Sequence, residues 1–351
     1  MKQRPSIRTF NEFRDAAYAF RLPRILLTAL DLDLFTVMGE HVWKIPTLAK
    51  TVLVSERGLE ILLRNLASVG LVKKEGERYS SRGFGQKFLN LTSPHYRGAY
   101  LKLIQQQWED WGQLTQAVRT GKPLKSSGPD NSDDRRSFTW AMHHRSIEAA
   151  QQVAYQLKLD KAKSFLDVGG GPGTYTLAFL ANNPQLRGTI WDRDPAIDVA
   201  KEIAQSTKEK DRLEFRVGDF LKDPVPGTYD VMWLSNIIHI YSPQENLKLF
   251  RKLRRSLNPG GQLFIQDTFL LDAKGLYPAE TNLFAVTMLL FTETGNTYPA
   301  KEAREWLKTA GFEKPRAIHL KEGTGDWEGV IIQASGKSQT KEKKSRNHIA
   351  S

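Results

Sequence analysis

Phe165-Leu166-Asp167-Val168 is an apolar run that passes without a break into Gly169-Gly170-Gly171-Pro172-Gly173-Thr174. A strand that ends this way has to turn at once, and glycine is the residue that tolerates both the tight backbone and the close approach of a ligand. Residues Thr174–Asn182 then read as a helix. Strand, glycine turn and helix together specify a parallel α/β unit whose ligand site lies at the carboxyl end of the strand. A nucleotide-like cofactor is expected there.

The rest of the second half repeats the alternation. Short apolar runs predict strands at Ser164–Val168, Gly188–Trp191, Leu213–Val217, Asp230–Leu234 and Gly261–Asp267, with helices at Thr174–Asn182, Ala196–Ser206, Gln244–Leu257 and Ala300–Ala310. A final strand pair, Arg316–Leu320 and Gly329–Ala334, closes the sheet. The expected fold class is α/β, a Rossmann-like domain with a mostly parallel seven-stranded sheet covered on both faces.

The first half is different. Apolar positions from Ala16 to Phe35 follow a helical spacing with a break expected at Pro23, and a second periodic helix, Leu59–Val69, stops at Gly70. Leu71-Val72-Lys73-Lys74 and Arg78-Tyr79-Ser80 flank a polar turn, which predicts a two-stranded wing. Helix, turn, helix and wing make a mainly α-helical winged-helix domain over residues 1–100. A Trp-rich helix around Ile104–Val118, a loop at Gly121–Asp134 and a helix at Phe138–Leu157 place a helical linker at 101–160, before the Rossmann-like domain at 161–336. Residues 337–351 form a basic tail, with Lys337, Lys341, Lys343, Lys344 and Arg346 facing only Glu342, expected to be disordered.

Part of the net charge of +12 sits in that tail, so the charge by itself is a weak sign of nucleic-acid binding. The helix that would read DNA is dominated by Leu, Ile and Ala, with Arg57 and Arg64 as its basic residues. Nucleic acid is therefore not the expected partner. The chain contains no cysteine, which excludes disulfides, thiolate metal sites and a cysteine nucleophile. No run reaches the roughly 18 apolar residues of a membrane span, and no secretory signal is visible, so a cytoplasmic location without membrane attachment is the expectation.

The glycines at 169, 171 and 173 depart from the dinucleotide fingerprint, because its third glycine would fall at Thr174. S-Adenosyl-L-methionine, which has no phosphate, fits that variant better. Asp167 and Ser235, at the ends of the first and fourth strands, belong to the expected cofactor set. Asp192 closes the second strand about 20 residues after the glycines, where an acid accepts from ribose hydroxyls. Asp219 and Phe220 follow the third strand, an acceptor for an adenine amino group beside a ring that can cover the base.

With the winged helix in front, the run from Phe165 to about Ala334 resembles the plant caffeate-type and bacterial antibiotic-type O-methyltransferases. The more specific sign is Val231-Met232-Trp233-Leu234-Ser235-Asn236-Ile237-Ile238-His239-Ile240-Tyr241, because the family carries its catalytic histidine in such a segment. The resemblance implies a homodimer and an enzyme of secondary metabolism. It would move a methyl group to a hydroxyl of a small aromatic, enolic or polyketide-like metabolite.

His239 would be the general base, since an imidazole with an ordinary pKa of about 6.5 can take a proton at neutral pH. Asp267 aligns with the family's orienting glutamate but is one carbon shorter; the family's second glutamate has no counterpart at Gly295-Asn296-Thr297-Tyr298, and Glu293 is out of register. Phe138 and Met142, four apart on one helix, either line the substrate pocket or fill core, and Asn236 is a further pocket candidate. The helix Tyr277–Phe291 would roof the pocket, fill core or contact a second subunit. His143 and His144 diverge as helix neighbours, so no metal site is expected. The alternatives are a C- or N-methyltransferase on this scaffold, a winged-helix DNA-binding regulator, or a non-catalytic relative.

Overall fold

A computed structural model describes residues 7–81, 83–123, 132–320 and 330–336. The basic tail lies outside them, as do most of the loop expected at 121–134 and the first residue of the last strand. The described residues divide into two compact units. One draws on residues up to 119 and on 132–145, the other on 120–123, 146–320 and 330–336.

The first unit buries Leu27, Leu30, Leu34, Phe35, Leu48, Leu59, Leu63, Leu66, Val72 and Tyr79 in a single core. Its wing has strands β2 (Val72–Glu75) and β3 (Arg78–Ser81) as expected, and an unforeseen third, β1 (Val42–Lys44), pairs antiparallel with β3. Three residues are too few to show a period. The opening helical stretch breaks between Phe10–Tyr18 and Arg21–Asp31, ahead of Pro23. Pro23 falls in the first turn of the second helix, where its missing N–H has no intrahelical carbonyl to serve. The single Trp-rich helix expected at Ile104–Val118 is instead three short helices, Gly98–Gln106, Trp108–Gly112 and Leu114–Thr120. Gln107 and Gln113 close the first two, and Gly112 weakens helix at the second break.

The helix Ser132–Gln156 carries the chain from the first unit into the second. There, strands β4 (Ser164–Val168), β5 (Arg187–Asp192), β6 (Leu213–Val217), β7 (Tyr229–Ser235), β8 (Leu257–Gln266), β9 (Glu313–His319) and β10 (Val330–Ser335) form one sheet in the order β6-β5-β4-β7-β8-β10-β9. Pairings from β6 to β8 are parallel, and β10 runs antiparallel to both its neighbours. Strand β8 begins four residues before the expected Gly261: Pro259-Gly260 reads as a turn, yet the chain stays paired across an irregularity opposite Tyr229 and Val231.

Alternate residues of each central strand go to opposite faces, as the pleat requires. Leu166, Val168, Met232, Leu234, Leu263 and Ile265 pack with Leu249, Phe250, Leu253 and Leu307 on one side. Phe165, Val231, Trp233 and Phe264 pack with Val153, Ala154, Phe179 and Leu180 on the other. Burial on both faces is the reason these strands read as continuous apolar runs. No helix among the described residues is long and apolar enough to cross a membrane.

Arg212, just ahead of β6, ties the outer helix of this layer to the sheet. Its guanidinium donates to the carbonyls of Leu180, Asn183 and Leu186 at 2.9, 2.9 and 3.1 Å, and to Pro184 at 3.3 Å. Those carbonyls lie at the C-terminal end of helix Thr174–Asn182 and in the turn that follows it, where Leu180 O and Asn183 O also accept from the backbone N–H groups of Asn183 and Leu186. Arg212→Ala is expected to lower unfolding stability by about 1.5–3 kcal/mol, the range for hydrogen bonds from a charged donor. The urea midpoint at neutral pH checks this, and an unchanged midpoint would show that water replaces the guanidinium at no cost.

Candidate active site

The glycine turn begins where β4 ends. Gly169 has φ +66°, and a Cβ there would collide with Ile237 Cδ1 and lie 3.1 Å from Phe220 Cε1, so this position demands both a left-handed backbone and no side chain. Gly171, with φ +51°, is the opposite case: a Cβ would meet nothing within 4 Å. Its backbone faces open space, as a loop that cradles a ligand requires. Gly173 is the N-cap of helix Thr174–Asn182 and packs on Ile190.

Asp192, at the end of β5, accepts from the Gly171 N–H at 2.7 Å through Oδ2 and from the Arg193 N–H at 2.6 Å through Oδ1. The acid and the glycine turn expected to act together are thus in direct contact. Asp219 accepts from the Leu221 N–H at 2.9 Å and lies 3.7 Å from both the Arg193 guanidinium and the Lys222 ammonium. Phe220 is buried, its ring edge-on to Trp191 and Tyr241. Arg193 escaped the sequence reading, although its place directly after the strand-end acid was a usable signal.

Asp167 differs from the other acids. Its side chain lies under the turn, where a Cβ on Gly170 would come within 2.7 Å of its Cγ, and it accepts from the Thr176 hydroxyl at 2.6 Å. It supports the loop from within, and its exposure is only 2%. Burial pushes its pKa up to about 7, against the lowering effect of the Thr176 hydrogen bond.

Three strands on from the turn in sequence, but next to β4 in the sheet, β7 ends at Ser235. The Ser235 hydroxyl accepts from Asn236 Nδ2 at 3.2 Å. Asn236 takes a left-handed φ of 56°, which asparagine tolerates better than most residues, and its N–H donates to Gln266 O. That reversal delivers a short 3-10 turn, Ile238–Ile240.

His239 is buried on this turn at 6% exposure, with Nδ1 2.7 Å from Asp267 Oδ1. Asp267 follows β8 and also accepts from the Ile238 N–H at 3.0 Å and the Thr268 N–H at 2.7 Å. A carboxylate only accepts, so Nδ1 is the nitrogen that carries the hydrogen toward Asp267, and in the neutral imidazole this tautomer leaves the lone pair on Nε2. Among the described residues no hydrogen bond engages Nε2. Phe284, from helix Ala279–Phe291, stands edge-on to the imidazole with ring centres 4.8 Å apart. The aspartate's shorter reach is therefore sufficient.

Glu293 is exposed, and no carboxylate other than Asp267 hydrogen-bonds His239 among the described residues. Asn296 instead donates its backbone N–H to His239 O at 2.9 Å. Phe138 and Met142 sit on the helix Ser132–Gln156 within the first unit, Phe138 41% exposed and Met142 half-buried, neither in its core. His143, on the same helix beside Trp140, has its pKa pushed down to about 4, chiefly by burial and then by the charges of His144 and Arg97. No group of three metal-ligating side chains occurs among the described residues.

A glycine turn after the first parallel strand, an acid closing the second, and a histidine–aspartate pair at the ends of the adjacent strands β7 and β8 mark a nucleotide-binding α/β fold with a candidate acid–base pair. Comparison with known proteins agrees. Residues 101–313 match the O-methyltransferase domain and residues 15–90 the O-methyltransferase dimerisation domain. The chain belongs to this family, whose members are enzymes that take their methyl group from S-adenosylmethionine.

The chain is 29% identical over 306 residues to the tetracenomycin polyketide synthesis 8-O-methyl transferase of Streptomyces glaucescens, covering 85% of this chain and 90% of that one. It is 27% identical over 313 residues to the 3-hydroxy-5-methyl-1-naphthoate 3-O-methyltransferase of Streptomyces sahachiroi, covering 87% and 90%. An O-methyltransferase family protein from Burkholderia thailandensis has the same fold, with a TM-score of 0.86 at 24% identity over 95% of this chain and 100% of that one.

Asp167 makes stability depend on pH in a direction that can be checked. Its folded pKa lies above the value of an exposed aspartate, so the native state holds a proton that the unfolded chain releases, and this contribution is lost as pH rises toward about 7. Asp167→Asn keeps the acceptor for Thr176 and removes the titration. Relative to the parent, the variant is expected to gain stability between pH 5 and pH 7.5, read from urea midpoints. A difference that stays constant across that range would place the titrating acid elsewhere.

Proposed function

We propose that this protein transfers a methyl group from S-adenosylmethionine to a hydroxyl of a small aromatic, enolic or polyketide-like metabolite, with His239 as the general base. The observation that carries the reading is the buried 2.7 Å contact between His239 Nδ1 and Asp267 Oδ1, beside a glycine turn that leaves Gly171 open. The donor supplies a methyl group on a positively charged sulfur, already activated for in-line displacement.

The chain's own tasks are then binding, orientation and removal of one proton. Gly169, Gly171 and Gly173 give the donor a close backbone approach, and Asp192 offers acceptors to its ribose. Asp219, Phe220 and Ser235 complete the cofactor set, while Asp167 holds the turn in shape from below. Nε2 of His239 takes the acceptor's proton as the hydroxyl attacks, and Asp267 keeps the tautomer that makes this possible. Phe284 stands against the base, and Asn236 lies three residues before it at the end of β7; both are assigned to contact with the acceptor. Relatives named for methylating a tetracenomycin polyketide and a hydroxynaphthoate support a phenol on fused rings as the acceptor class.

The same reading includes a homodimer. The dimerisation match at 15–90 supports it, as does the first unit's row of exposed apolar residues, Phe10, Phe13, Tyr18, Phe20 and Leu22. A cytoplasmic location is part of the same proposal.

Light scattering at micromolar concentration is expected to give twice the monomer mass, and a fully active monomer would contradict the dimer. Calorimetry is expected to show S-adenosylmethionine binding and no NAD binding, and a screen of naphthols and hydroxylated polyketide aromatics to show transfer by mass. His239→Ala should then cut turnover on a phenol by about 10²–10⁴ with cofactor affinity kept. Near-normal turnover on a phenol without His239 would mean that the residue is not the base.

A further inference from the structure

The turn that carries His239 is held at more points than its own backbone provides. Asn246, four residues into helix Pro243–Arg255 and fully buried, donates through Nδ2 to Ile238 O at 2.8 Å and to Tyr241 O at 3.1 Å. Those two carbonyls bracket the 3-10 turn. Tyr298 donates its hydroxyl to the same Tyr241 O at 2.7 Å, and the Asn296 N–H reaches His239 O.

The amide oxygen of Asn246 has no hydrogen-bond partner among the described residues. Burying an amide with its acceptor unsatisfied is destabilising, so a residue kept only for packing at this place would be better apolar. What Asn246 offers is its pair of donors. A short 3-10 turn has poor internal hydrogen-bond geometry and readily rearranges, and with it the direction in which its side chains leave the backbone.

We infer that Asn246 is a positioning residue for His239, tying the carbonyls on both sides of the turn so that the imidazole stays aimed at Asp267. The inference rests on the reading of His239 and Asp267 as base and partner. Asp267 holds the turn by the Ile238 N–H and Asn246 holds it by the Ile238 carbonyl, so the peptide units on either side of Ile238 are each fixed by a side chain. The ring can then meet its carboxylate without a search over backbone conformations.

The test uses the full chain with isotopically labelled histidine and needs no acceptor. A proton held between an imidazole nitrogen and a carboxylate resonates far downfield of the amide region. Its loss in His239→Ala and in Asp267→Asn assigns it to this pair. In Asn246→Ala the resonance is expected to broaden beyond detection or shift upfield, while the affinity for S-adenosylmethionine changes by less than about twofold. Asn246→Ser, which can serve one carbonyl but not two, is read in the same way should the alanine chain not fold. A lower melting temperature with the resonance unchanged would overturn the inference and leave the base reading standing. A downfield resonance that survived both His239→Ala and Asp267→Asn would overturn both.

Discussion

A parallel sheet covered on both faces has nowhere to put reactive polar groups except at the ends of its strands, and that constraint organises everything else in the second unit. Strands β4, β5 and β7 are buried along most of their lengths, and the candidate site residues appear where the strands stop: Gly169 after β4, Asp192 at the end of β5, Asp219 after β6, Ser235 at the end of β7, Asp267 after β8. Because β4 and β7 are neighbours, the glycine turn and the histidine segment arrive side by side. The contact that a Cβ on Gly169 would make with Ile237 shows how closely they are packed.

Burial then divides the carboxylates among tasks. Asp192 and Asp219 keep partial exposure and accept from backbone N–H groups at the ends of their strands. Asp167 is sealed beneath the turn, takes the Thr176 hydroxyl, and is pushed toward its neutral form. Asp267 is as deeply buried but receives an imidazole N–H and two backbone N–H groups, the set of donors that compensates a buried carboxylate. Residue type alone does not distinguish these roles. Depth of burial and the kind of donor aimed at each acid do.

Much of this was legible in the sequence because the signals were local. The run Phe165–Thr174 contains its own strand, turn and helix start, and the helix Thr174–Asn182 begins and ends where its apolar spacing and the preceding glycine say it should. His239 and Asp267 were legible through resemblance, and their meeting at 2.7 Å follows from the pairing of β7 with β8. The inward turn of Asp167 was not, since a strand's period of two assigns a face but not which side of a glycine turn the last carboxylate takes. Nor was Asn246: its partners, Ile238 O and Tyr241 O, are backbone carbonyls, which leave no mark in the sequence. The three-residue strand β1 and the broken Trp-rich helix fall below the length at which periodicity speaks.

The departures from the family pattern compensate one another. Replacing a glutamate by Asp267 shortens the reach to the imidazole, and the 3-10 turn meets it by bringing both the ring and the Ile238 N–H to one carboxylate. Where a second acid would stand, Asn296 offers no charge, but its backbone N–H ties His239 by the carbonyl instead of by the ring. That tie needs the chain at Gly295 to lie directly against His239 O and Ile240 O, a space that a Cβ would fill. In this chain the imidazole of His239 is held by one acid on the ring and its turn by a set of hydrogen bonds on the backbone beneath it. A ring held this way keeps its orientation with a single buried negative charge, and the second charge, with its desolvation cost, is not required.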